Sequence, residues 1–213
     1  MTAPAIKICG LTTPETLAAA IAARAEWFGL MFVDRSPRVA SLAIAAELGQ
    51  RAAGRIGRVG VFLDADDAAI AAAVAAAGLD VLQLHGSETP QRCAELSTHY
   101  GLPVWKVLSV SARPDLDRAA AYAGAAELVL LDAKTPKGTL PGGLGLTFDW
   151  SILAGWQAPL PWGLAGGLNP GNVAAAVRIT GAALIDASSG LETAPGVKDA
   201  ALIATFCKAA RAA

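Results

Sequence analysis

Short apolar runs of β type recur eight times along the chain, at positions 5–9, 27–33, 58–63, 81–85, 104–108, 128–132, 161–165 and 183–187. Between them lie stretches 13–24, 42–53, 65–77, 90–100, 115–124, about 148–154, 170–180 and 197–212, most of them Ala-rich or apolar at helical spacing. Thr13-Pro14 and Asn169-Pro170 read as an N-cap followed by proline in the first helical position. Strict alternation of strand and helix implies parallel strands joined by right-handed crossovers. Eight such units close into a barrel, with a repeat of about 27 residues that is compact for this architecture. The rival is an open doubly wound sheet, but no G-x-G-x-x-G follows the first strand and no Walker A sequence occurs. The expectation is therefore an α/β fold, a single (β/α)8 TIM barrel occupying 1–213, with no linker or composition break to mark a second domain.

Composition narrows the class of partner. Of 213 residues 54% are hydrophobic and only 16% charged, which excludes intrinsic disorder and predicts a well-filled core. Seventeen basic against eighteen acidic side chains give a net charge of −1 and no Lys/Arg run, so neither nucleic acid nor an anionic membrane is an expected partner. A small molecule is. The three cysteines, Cys9, Cys93 and Cys207, are odd in number and far apart, which predicts a reducing, cytoplasmic setting without a disulfide framework. With only His85 and His99 besides, no short-spaced zinc cluster exists, and the Ala-rich run at 68–79 is too short to span a bilayer. The N-terminus lacks the pattern of a signal peptide.

Strand parity then suggests where the chemistry lies. In 5–9, Lys7 and Cys9 oppose Ile6 and Ile8; in 81–85, Gln83 and His85 oppose two leucines; in 104–108, Lys106 opposes Trp105 and Val107. If apolar residues pack under the helices, the polar ones project into the barrel, and Cys9, His85, Asp132 and Asp186 ring its C-terminal end. Gly10 lets the chain turn away after Cys9, whose thiol is then a base or nucleophile if a cation such as Lys7 favours the thiolate, or else a buried packing residue. Packing is the expectation for Cys93 and Cys207, both inside helices. Asp132 follows four apolar residues; a partly desolvated carboxyl there suits a general acid, and a helix cap is the alternative. The glycine-rich stretch 134–146 reads as a lid or as a merely disordered loop.

Two further loops carry the signature of anion binding. Gly166 and Gly167 follow the seventh strand and lead into a helix, while Ser188, Ser189 and Gly190 follow the eighth. Glycine admits close backbone approach, serine adds hydroxyl donors, and a helix N-terminus supplies unpaired N–H groups; on adjacent barrel strands they point to phosphate. Arg38, in Arg35-Ser36-Pro37-Arg38, either grips a substrate carboxylate or pairs on the surface with Asp34 or Glu47.

Taken in order, Lys7-Ile8-Cys9-Gly10-Leu11-Thr12, Ser36-Pro37-Arg38, Val59-Gly60-Val61-Phe62, Leu82-Gln83-Leu84-His85-Gly86, Leu131-Asp132, Gly142-Gly143-Leu144-Gly145, Gly166-Gly167-Leu168-Asn169-Pro170 and Ser188-Ser189-Gly190-Leu191-Glu192 resemble the phosphoribosylanthranilate isomerase family of tryptophan biosynthesis. Matches run along almost the whole chain. Leu144 stands where that family usually has threonine. The resemblance implies an Amadori rearrangement of N-(5-phosphoribosyl)anthranilate, with Asp132 as general acid on the ring oxygen and Cys9 as general base at the sugar C2. It implies Arg38 on the anthranilate carboxylate, His85 and Asp186 along the sugar, and Gly166, Gly167, Ser188, Ser189 and Gly190 on the phosphate of this phosphosugar substrate. No metal or organic cofactor is implied, and either a monomer or a homodimer is compatible. The related histidine-pathway isomerase has aspartate where this chain has Cys9, and the presence of both Cys9 and Asp132 argues against a phosphosugar-binding barrel that has lost catalysis.

Overall fold

The alternating runs form eight parallel strands, β1 (Ala5–Cys9), β2 (Trp27–Met31), β3 (Gly57–Phe62), β4 (Val81–Leu84), β5 (Val104–Val110), β6 (Leu128–Ala133), β7 (Trp162–Leu164) and β8 (Leu184–Ala187). Each pairs with its sequence neighbour and β1 pairs with β8, with Lys7 opposite Asp186, so the sheet closes. The computed structural model describes residues 3–134 and 145–213; Leu144 and most of the glycine-rich stretch after Asp132 lie outside them.

The connecting helices start where the sequence supplies a cap. Thr13, Ser41, Asp66, Thr89 and Asp199 each accept a backbone N–H from the first turn of α1 (Pro14–Ala22), α2 (Leu42–Ala52), α3 (Asp67–Ala77), α4 (Pro90–Tyr100) and α6 (Ala200–Arg211). Left-handed Gly78 and Gly101 end α3 and α4. The expected helices at 115–124 and about 148–154 are 3-10 helices, Arg113–Tyr122 and Trp150–Leu153.

Two expected boundaries are corrected. The helix expected over 170–180 is α5 (Val173–Thr180); Asn169 spends its side-chain oxygen on Gly171 N at 2.8 Å, making a turn before the helix begins. The helix expected over 197–212 starts only at Ala200, because Pro195 and left-handed Gly196 turn a small hairpin of β9 (Glu192–Ala194) and β10 (Val197–Lys198).

Apolar burial falls into two layers. The larger, with Ile6, Ile8, Phe28, Leu82 and Leu108, lies between strands and helices; the smaller, with Val59, Val81, Trp105, Val107, Leu130 and Leu184, fills the barrel interior. Trp27 and Trp105 meet edge to face across that interior, 5.1 Å between ring centres. Trp105 and Val107 thus point inward, and Lys106 points outward beneath α4, against the expectation that polar strand residues face the barrel. Both faces of a barrel strand are buried, so polarity alone does not tell them apart.

Candidate active site

At the C-terminal end of the strands the interior opens into a cavity of about 460 Å³. Cys9, Arg38, His85, Asp132, Asp186, Gly166, Gly167, Ser188 and Ser189, all singled out from sequence, line it. Gly190 does not; it packs behind, where an added Cβ would lie 2.1 Å from Leu168 O, so only glycine lets the strand-eight loop close on the strand-seven loop. Gly10 has φ +77°, the turn that leaves Cys9 at the mouth.

Inward parity on β1 places Lys7 directly beneath this mouth. Its ammonium is fully buried and donates to Asp186 Oδ2 at 2.8 Å. Burial works against that charge, but the Asp186 carboxylate and the Cys9 sulfur outweigh it and hold Lys7 above its ordinary pKa. Burial pushes the Cys9 thiol up, and the attraction and hydrogen bond of Lys7 pull it back only in part. The expected effect of Lys7 on the thiolate is therefore present but smaller than desolvation. Asp186 is raised by burial too, with Lys7 pulling the other way, and its Oδ1 is buried without a partner among the described residues. Cys93 and Cys207 are buried in helices and burial lifts both thiols to about 11, which suits packing.

Asp132, 6% exposed, is the penultimate residue of β6, and the residue after β4 is His85. His85 Nε2 lies 3.2 Å from Asp132 Oδ2, close enough for charge interaction but not aligned as a hydrogen bond, and this nitrogen has no hydrogen-bond partner among the described residues. Gln83, one turn of the pleat below and 1% exposed, has its Oε1 against the cavity, likewise unpartnered among the described residues.

Arg38 is neither a surface residue nor paired with Asp34 or Glu47. It is 7% exposed, and its Nε and Nη2 form a fork with Glu192 Oε1 and Oε2, both at 2.7 Å. Glu192 also takes Lys198 of the hairpin, which reaches on to Ser188 Oγ at 3.4 Å. Burial would raise Glu192, but Arg38 and Lys198 hold it below the usual carboxylate range; burial in turn pulls Lys198 below its ordinary value. Ser188 Oγ donates to Cys9 O at 3.1 Å, tying this network to β1. Sequence reading missed Glu192 and Lys198 as site residues; position 192 ends the Ser-Ser-Gly run and Lys198 lay in a stretch assigned to helix. In the strand-seven loop Gly166 and Gly167 are left-handed, at φ +87° and +61°, and the Asn169 and Asn172 side-chain amides both hold Gly167 O, at 3.2 and 3.0 Å.

Chemically the mouth offers a thiol beside an ammonium, a carboxyl group beside an imidazole, a braced guanidinium, and glycine and serine loops at one rim. Among the described residues no group of three or more His, Cys, Asp or Glu could hold a metal ion. Nor, among them, is any helix long and apolar enough to cross a membrane.

Residues 6–209 match the family model for N-(5'-phosphoribosyl)anthranilate (PRA) isomerase. Among proteins of that name, the one from Paramagnetospirillum magneticum is 52% identical over 97% of this chain and 96% of its own length, and the one from Rhodospirillum centenum 49% identical over 97% and 98%. The crystal structure of phosphoribosyl anthranilate isomerase from Thermotoga maritima superposes with a TM-score of 0.88 at 32% identity, covering 99% of this chain and 100% of that one. A phosphoribosyl anthranilate isomerase in complex with reduced 1-(o-carboxyphenylamino)-1-deoxyribulose 5-phosphate superposes with a TM-score of 0.86 at 30% identity, with the same coverage.

Proposed function

The chain belongs to the phosphoribosylanthranilate isomerase family, and from that premise we infer that it is the isomerase of tryptophan biosynthesis that converts N-(5-phosphoribosyl)anthranilate to 1-(2-carboxyphenylamino)-1-deoxyribulose 5-phosphate. The observation that carries the reading is that Cys9 on β1 and Asp132 on β6 line one cavity.

Asp132 donates its proton to the furanose ring oxygen as the C1–O bond breaks, and the anilino nitrogen's lone pair forms the C1=N bond of the Schiff base. Cys9, as thiolate, then takes the proton from C2; the C–H electrons form the C1=C2 bond and the iminium nitrogen recovers its lone pair. The enolamine tautomerises to the ketone, its C2 hydroxyl proton leaving and C1 gaining one. The substrate's own nitrogen is the electron source and sink, so side chains suffice for every step. Lys7 supports the thiolate against desolvation, and Asp186 keeps Lys7 in place. Arg38, braced by Glu192, takes the anthranilate carboxylate, His85 and Asp186 line the sugar, and Gly166, Gly167, Ser188 and Ser189 hold the phosphate, with Gly190 shaping that rim. One (β/α)8 domain carries the whole site, so the chemistry is the same in a monomer or a homodimer. The setting is the cytoplasm, where three unpaired cysteines stay reduced.

The test is a fluorescence assay following consumption of freshly generated phosphoribosylanthranilate. Cys9→Ala and Asp132→Asn are each expected to lower kcat by about 10²–10⁴-fold with the fold retained, the usual yield of a positioned acid or base. Near-normal kcat in either, or a comparable loss in Cys93→Ala, overturns the assignment.

A further inference from the structure

Lys106 and Glu88 form a buried ion pair that none of these steps uses. Lys106 is 2% and Glu88 8% exposed, and they lie on the helix side of the barrel wall rather than in the cavity. Lys106 Nζ donates to Glu88 Oε2 at 3.0 Å, to Gly86 O at 2.7 Å and to Leu84 O at 3.2 Å. The same carboxylate accepts Gly86 N at 2.9 Å and Asp64 N at 2.8 Å, and Asp64 in turn takes Ser87 N at 2.7 Å. The residue enclosed between Leu84 and Gly86 is His85. Its own N–H is committed on the other side, to Phe62 O of β3 at 2.8 Å.

A buried ion pair is a poor way to gain stability, since packed apolar residues of similar volume do as well or better. What an ammonium with three acceptors achieves is to fix three atoms of the 84–88 loop at once to β5. The β4–β5 register ends at Leu84 opposite Lys106, so the loop that follows takes its ties from side chains. We propose that Lys106 and Glu88 are positioning residues for the reaction: from outside the barrel they clamp the backbone on both sides of His85 and so hold its imidazole against Asp132. The clamp rests on the reading of Asp132 as the acid of ring opening. The geometry that depends on it is the 3.2 Å approach of His85 Nε2 to Asp132 Oδ2, beside the carboxyl group that must give up its proton.

The experiment is a kinetic cycle on the intact enzyme. Lys106→Met together with Glu88→Gln removes both charges and keeps the stem volume under α4. This double variant should lose about tenfold in kcat with little change in KM, the cost of misplacing a group beside the chemistry. In a His85→Asn background the same pair of changes should cost less than about twofold, because the group they act through is gone. Leu96→Ala, a cavity in the buried face of α4, should lower Tm without lowering kcat, which separates positioning from stability. Should the double variant not fold, Glu88→Gln alone loosens the two amides the carboxylate holds and should lower kcat in the same direction. Unchanged kcat, or an equal loss with and without His85, or a loss matched by Leu96→Ala, overturns the clamp. If Asp132→Asn is itself active, the reading beneath it fails and the clamp with it; if Asp132→Asn is inactive while the double variant is unimpaired, the clamp alone is wrong.

Discussion

Two lysines sit on barrel strands with almost no exposure, each paired with a carboxylate, and they face opposite sides of the sheet. Lys7 on β1 faces the interior, meets Asp186 at 2.8 Å and lies beside Cys9; Lys106 on β5 faces outward, meets Glu88 at 3.0 Å and lies behind His85. Residue type, burial and pairing are nearly the same. The difference is one step of strand parity: β5 turns Trp105 and Val107 to the interior and so expels its lysine to the other face. A buried ion pair is thus not evidence for a reacting centre until the side of the sheet it occupies is known.

Breaking the pairs one at a time sharpens this contrast. Lys7→Met and Lys106→Met should destabilise alike, by about 3–5 kcal/mol, because each leaves a carboxylate buried without its partner. Only Lys7→Met should quiet the thiol. Loss of an ammonium in contact lowers the Cys9 thiolate about ten- to a thousandfold, read as the rate of iodoacetamide alkylation at Cys9 in the folded protein. The pH profile should follow the same sign. Burial already pushes the thiol up, so kcat/KM rises with pH towards a limb above the ordinary thiol range; Lys7→Met carries the limb higher still, and Lys106→Met leaves it in place. Equal slowing of alkylation in both variants would erase the distinction.

A change that touches neither lysine tests the remaining rim. Gly190→Ala places a methyl group against Leu168 O and should pry the two glycine loops apart. KM for the phosphorylated substrate should rise about ten- to a hundredfold, the worth of one charge-assisted contact, with a smaller effect on kcat. Competitive inhibition by inorganic phosphate should weaken in parallel; unaltered inhibition would remove this rim from the phosphate site.

The smallest effect belongs to the half-exposed pair at the start of β3 and β4. Hydrogen bonds from Arg58 hold Asp80 below the usual carboxylate range. A folded pKa below the unfolded one gives stability that is present above about pH 4 and is lost as pH falls through the folded value. Arg58→Ala should therefore cost under about 1 kcal/mol near neutrality, as exposed pairs do, and less in acid, measured by urea unfolding at several pH values. A cost that grew as pH fell would contradict the assigned direction.

Much of the barrel was legible because its signals are local. Eight apolar runs and the Thr13-Pro14 cap report on the backbone within a turn of themselves. That Cys9, His85 and Asp132 gather at the barrel mouth is legible as well, since a polar residue near the end of an apolar strand needs a reason to be there. Lys106 was misread because a strand covered on both faces carries no polarity signal for inside and outside. For Arg38 the sequence offers a substrate carboxylate or a surface pair with Asp34 or Glu47, and it does not point to Glu192, on a hairpin that the helical composition of 197–212 conceals.

Sequence by itself determined the alternation of elements, the closure implied by eight of them, and the residue types gathered at the strands' C-terminal ends, because hydrophobic period and capping chemistry act between neighbours in the chain. Tertiary structure alone decided which buried lysine meets the thiol, which carboxylate braces Arg38, and how the loops after β7 and β8 close on one another. Those choices depend on distances between segments up to 179 residues apart, as for Lys7 and Asp186. They depend also on a competition between desolvation and charge that exists only once the barrel has closed around both groups.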